Sequence, residues 1–176
     1  MIDFQTRKMQ LMRERQATKK LLRSSARILL RQLKKVEHPF VDAEIVRQIE
    51  NDVLELIQMA DNHEEFFDQG DRGPEHIYAA LEQRKGIDKA CNEFDKPIDA
   101  WHQKNEAKIL ELDRAEPTEQ TIELRSICYQ FISFYQLAQS LKETNHTLAG
   151  LHALPVMLDI KSKANAKAKA KASKLH

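Results

Sequence analysis

Glycine and proline are scarce in this chain, four and five in 176 residues. Strand-rich proteins need more of both, because glycine supplies positive-φ corners and proline presets turns; the shortage therefore favours helices. Only two cysteines occur, Cys91 and Cys128, each inside an apolar periodic segment rather than in a CxxC or an evenly spaced framework. That pattern excludes a disulfide scaffold and predicts two buried thiols in a reducing compartment. No apolar run approaches the length that spans a bilayer, and no signal peptide opens the chain, so a cytoplasmic setting with no membrane partner is expected. Residues 5–35 are arginine-rich, amphipathic and acid-poor in the manner of a transit peptide, but the heptad register of their second half ties them to the fold.

Catalytic signatures are missing too. There is no GxSxG and no phosphate-cradling glycine loop. Trp101, Tyr78, Tyr129 and Tyr135 sit at helical spacing near apolar positions, as core aromatics do. The expectation is a protein that is not an enzyme, with no cofactor and no small-molecule substrate.

What the chain does contain is helical periodicity. Leu22, Ala26, Leu29, Leu33 and Val36 form a seam at steps of four and three. Pro39 disfavours helix at His38 and ends it. A second segment opens at Asp42, a plausible N-cap, and carries Val46, Ile49, Val53, Leu56, Ala60 and Phe67. Gly70 stops it, and Pro74 suits the first turn of the next. The third runs Ile77, Leu81, Ile87, Cys91, Phe94, Ile98, Trp101 and Leu112 across Pro97, which predicts one kinked helix or two short ones capped by Asp95. Thr118 caps the last, which holds Leu124, Ile127, Phe131, Phe134, Ala138, Leu141 and Leu148. Asn145 falls on that seam, where a buried amide fixes helix register or partner number.

The expected fold class is all-α: an antiparallel up-and-down bundle, or a long helical hairpin coiled coil, of about four helices with a basic C-terminal tail. Residues 1–20 read as a basic arm continuous with the first helix and 21–150 as the bundle. Residues 151–160, "LHALPVMLDI", read as an apolar cap or docking segment, and 161–176 as a Lys/Ala-rich tail.

A net charge of only +1 hides a division of the chain. Residues 1–35 carry +9 and residues 161–176 carry +6, leaving −14 for the acidic middle. A helix as cationic as the arm tends to project from its domain, because only polyanions or acidic surfaces relieve its self-repulsion. The first functional reading is therefore a non-enzymatic protein that binds nucleic-acid backbone through Arg7, Lys8, Arg13, Arg15, Lys19, Lys20, Arg23 and Arg27 of the first helix and Lys161, Lys163, Lys167, Lys169, Lys171 and Lys174 of the tail. Such binding would be salt-sensitive and sequence-independent, since zinc-finger spacing, ribonucleoprotein aromatics and a helix-turn-helix glycine turn are all lacking. In composition alone the tail resembles those of linker histones.

Two alternatives stand beside it. The chain would be an assembly, scaffolding or adaptor protein, a homo-oligomer or a binder of another protein, through Leu151, Leu154, Val156, Met157 and Leu158. Or it would be a metal-binding bundle: in an up-down-up-down topology His63, His76, His146 and His152 meet at one end, near Glu64, Glu65 and Glu75. His102 and Glu106 make the only metal-type i,i+4 step with core-like placement.

Overall fold

A computed structural model describes residues 3–69 and 73–172, with side chains throughout except at 68, 69, 152–160 and 167–172. The described residues are all helical or connecting: α1 (Phe4–Leu33), α2 (Ala43–Gln69), α3 (Pro74–Glu93), α4 (Lys96–Arg114) and α5 (Glu119–Ala172). Each of α1 to α4 packs on α5, and α2 also lies against α1 and α3.

The caps follow local chemistry. The Asp42 carboxylate accepts the backbone N–H of Ile45 at 2.9 Å and starts α2. Thr118 does the same for Thr121 at the head of α5. Pro74 stands in the first turn of α3, where its missing N–H costs nothing. Asp95 departs from expectation. It precedes α4 but makes no side-chain cap, because its carboxylate is committed across the core to α5. The third apolar segment is thus two helices, separated by a break at Phe94 and Asp95 so shallow that both residues keep helical dihedrals.

Named contacts fix the directions. Arg15 meets Asn145 while His38 meets Leu124, so α1 and α5 run antiparallel. Arg84 touches His146, Asp95 touches Lys142 and Trp101 lies on Phe131, so α3 and α4 also oppose α5. Between them lies one continuous apolar cluster, including Leu22, Leu29, Val46, Val53, Ile87, Phe131, Phe134 and Leu141. Each such side chain contributes about 1.5–3 kcal/mol on burial. An exposed ion pair contributes about 0–1 kcal/mol, so the seams, not the charges, hold the helices together. Cys91 and Cys128 are free, buried thiols in this core, pushed to higher pKa by desolvation.

The loop after α1 is organised by one imidazole. His38 is buried, and its Nδ1 accepts the backbone N–H groups of Phe40 (3.3 Å) and Val41 (3.0 Å). Because Nδ1 is an acceptor, the proton sits on Nε2, which donates to the Leu124 carbonyl at 3.1 Å. Burial pushes the His38 pKa down, opposed by that backbone bond. The Trp101 indole N–H donates to the Phe40 carbonyl at 2.6 Å, securing the same loop to α4.

At the far end, α5 does not stop at Pro155. It continues as helix to Ala172 through the 151–160 stretch and the lysine-rich tail. The backbone therefore makes no turn at Pro155 to bring the apolar segment back over the end of the bundle.

Candidate nucleic-acid interface

Leu11, Leu22, Ala26 and Leu29 are the buried residues of α1, and they fix which way every other side chain of the helix points. At 100° per residue, Lys8 and Arg15 fall beside Leu11 on the inward face. Both are half-buried and both are neutralised within the molecule. Lys8 pairs with Glu64. Arg15 places Nη2 2.8 Å from Asp61 Oδ1 and Nη1 3.2 Å from Asn145 Oδ1. The first turns of α1 are therefore docked rather than projecting. The acidic end of α2 supplies the carboxylates, Asp61 and Glu64.

The opposite face is different. Arg13, Lys20, Arg23 and Arg27 are exposed, and Arg31 and Lys34 continue the same stripe beyond the residues singled out from sequence. Arg13, Lys20, Arg27 and Lys34 recur every seventh residue, two turns apart, so they keep to one side. That heptad of basic residues, in step with the leucine seam opposite, is present in the sequence and marks Lys34 as part of the stripe. Glu14 is the one acid of α1; it lies off this stripe and is engaged by Gln10 at 2.9 Å. The stripe from Arg13 to Lys34 is about 32 Å long at 1.5 Å per residue, close to one turn of duplex DNA. None of its basic residues forms an ion pair among the described residues. Arg7, exposed near the start of the helix, bonds to Gln10 at 3.2 Å, and Lys19 is half-buried at the edge of the stripe.

The tail continues the α5 helix to Ala172. Lys161 and Lys163 are exposed on the extension of α5. Lys167, Lys169 and Lys171 lie on helical backbone but their side chains are outside the described residues, as is the whole of Lys174. Of the apolar segment, Leu151 is half-buried; the side chains of Leu154, Val156, Met157 and Leu158 are outside the described set.

Among the described residues His146 does not join His63 and His76. His63 is buried edge-on to Phe67 (4.7 Å between ring centroids) and His76 stacks on Phe66 (4.2 Å, 11° between planes), so these two share an aromatic cluster where α2 meets α3. His146 is instead engaged by Asp88 at 2.9 Å and Arg84 at 3.1 Å. The side chain of His152 is not described. Glu64 is taken by Lys8. Among the described residues no three His, Cys, Asp or Glu side chains come together as metal ligands would. His102 and Glu106, which read as core-like in sequence, are exposed on α4. Among the described residues no helix is long and apolar enough to cross a membrane.

Comparison with known proteins finds no matching family model, no matching curated protein and no matching solved structure.

Proposed function

We propose that this protein binds nucleic-acid backbone, without reading sequence, through the solvent face of α1, with the lysines of the α5 extension adding to the same attraction. In this reading the α1, α2, α3–α4 and α5 rods form an up-and-down bundle whose role is to hold α1 straight and its basic stripe outward. One observation carries the reading: six basic side chains, Arg13, Lys20, Arg23, Arg27, Arg31 and Lys34, stand exposed along one helix face, and among the described residues no carboxylate is paired to any of them. Unrelieved like charge along about 32 Å of helix favours a polyanion, and each phosphate neutralised releases condensed counterions. The stripe offers guanidinium and ammonium groups but no aromatic to stack on a base, which supports backbone contact over base recognition.

The test is fluorescence anisotropy of labelled duplex DNA and single-stranded RNA of unrelated sequences against the full chain, titrated in salt. Affinity should be equal across sequences, and for duplex DNA log K should fall linearly with log salt with a slope of about −5 if most of the six contact phosphates. No binding at 50 mM salt, or a slope near zero, would overturn the reading.

A further inference from the structure

An open apolar groove of about 820 Å³ runs between α1 and α5, beside the basic stripe and away from the core. Its rims carry Leu21, Ile28, Ile122 and Tyr129, which are 59%, 48%, 55% and 57% exposed. Four of the large hydrophobics that the fold leaves uncovered thus gather in one place instead of scattering, which marks a surface built to be covered. Serines from both helices line it as well, Ser24 and Ser25 from α1 and Ser126 and Ser133 from α5. Such small side chains let another helix approach closely.

Charge selects the occupant. No lining residue of the groove is acidic, and one is Arg125. The Arg125 guanidinium donates to the backbone carbonyls of Leu112 at 2.9 Å, Asp113 at 3.1 Å and Ala115 and forms no ion pair among the described residues; the one carboxylate the structure places at this rim, that of Asp113, accepts from the Tyr129 hydroxyl at 3.4 Å. Along the α1 side the basic stripe borders the groove. A second copy laid groove to groove would set these cations against their own kind, and such like-charge juxtaposition is costly. We infer that the α1–α5 groove docks an acidic amphipathic helix of a partner protein, its apolar stripe seated between Ile28 and Tyr129 and its carboxylates facing Arg125 and the α1 bases. This site does not depend on nucleic-acid binding and makes the protein an adaptor as well.

The inference is tested with two labelled helical peptides of identical apolar stripe, one flanked by glutamates and one by lysines, titrated against the full chain by anisotropy. Light scattering of the free protein is recorded alongside. The expected result is a monomer that binds the glutamate peptide at least tenfold more tightly than the lysine peptide. Ile28→Asp, and separately the groove-filling Ser133→Trp, should weaken glutamate-peptide binding at least tenfold. Both sites are exposed, and circular dichroism verifies that each variant is folded. Nucleic-acid affinity of Ser133→Trp should match wild type, which separates failure here from failure of the backbone-binding reading. Absent or charge-indifferent peptide binding, or binding that both variants leave intact, overturns the inference. So does a dimer that Ile28→Asp dissociates, since the groove would then be covered by a second copy.

Discussion

Arg15 of α1 and Asn145 of α5 meet in the interior, Nη1 to Oδ1 at 3.2 Å, while the other end of the guanidinium holds Asp61 of α2 at 2.8 Å. Asn145 is fully buried, and its amide nitrogen donates to the Leu141 carbonyl at 2.7 Å. One side chain therefore ties three helices at a single level. A slip of α1 along α5 would strand the amide oxygen, the means by which a buried amide fixes register.

Arg15→Ala should cost about 1–3 kcal/mol, because it leaves the Asn145 oxygen buried without that donor. A double-mutant cycle with Asn145→Ala should show a coupling of at least about 0.5 kcal/mol by chemical denaturation. Since Arg15 is already spent on Asp61 and Asn145, its removal should leave the salt slope of nucleic-acid binding unchanged. A fall in that slope would mean that Arg15 faces the polyanion after all.

The exposed stripe should behave in the opposite way. Arg13→Ala, Lys20→Ala and Arg27→Ala should each reduce the magnitude of the salt slope by about 1 and change stability by no more than about 0.5 kcal/mol. Combining the three should add, because they lie two turns apart and share no partner. Anisotropy across salt and denaturation on the same preparations measure both quantities.

The contrast between these two groups of cations shows what periodicity carries and what it does not. Apolar spacing marks Leu22, Ala26 and Leu29 as inward, and all three are buried. It likewise marks Val46, Ile49, Val53, Phe131, Phe134, Ala138 and Leu141, because burial of a face every 3.6 residues is a local property written into the chain. Charge along α1 is legible as an excess but not as a division. That Lys8 and Arg15 are neutralised depends on Asp61 and Glu64 arriving from α2, a tertiary fact with no local trace. Asp95 misled for the same reason: an acid before a helix reads as a cap, yet its partners stand 40 to 47 residues away on α5. Pro155 read as an interruption of an apolar segment. The Ala/Lys run beyond it has among the highest helix propensities of any composition, and α5 continues through both.

The pH response of the His38 loop follows from its tautomer. Burial holds the His38 pKa below the ordinary histidine value, so below about pH 6.5 the unfolded chain takes up the proton more readily than the folded one. Stability contributed by neutral His38 is complete above that pH and declines as pH falls through it. His38→Leu should cost about 2 kcal/mol at pH 8 by stranding the Phe40 and Val41 N–H groups, and the gap between wild type and variant should narrow by pH 5.5. A gap independent of pH would show that His38 does not titrate on unfolding.

A carboxylate network supplies the acid limb. The Asp95 side chain accepts from Tyr135 at 2.8 Å and Gln139 at 2.6 Å and pairs with Lys142 at 2.8 Å, whose ammonium also lies 5.6 Å from the centre of the Phe94 ring. Burial pushes the Asp95 carboxyl up, but the hydrogen bonds from Lys142, Tyr135 and Gln139 outweigh it and hold the group below its usual range. Desolvation, together with the hydrogen bond to Asp95, pushes the Tyr135 hydroxyl far above its ordinary value, so it stays a donor at any physiological pH. A depressed carboxyl stabilises the fold above its unfolded pKa of about 3.9, and that contribution is lost as pH falls through the folded value. Asp95→Asn should therefore cost about 1 kcal/mol at pH 7, the low end for a charged hydrogen-bond network because water still reaches the carboxylate. The deficit should vanish in acid, where wild-type Asp95 is protonated too. Denaturation curves of both proteins from pH 7 down to about pH 2, below the ordinary carboxylate range, decide it: stabilities that converge below about pH 4 place the charge of Asp95 at the α3–α4 junction as a stabilising element, and parallel curves assign the cost to lost packing alone.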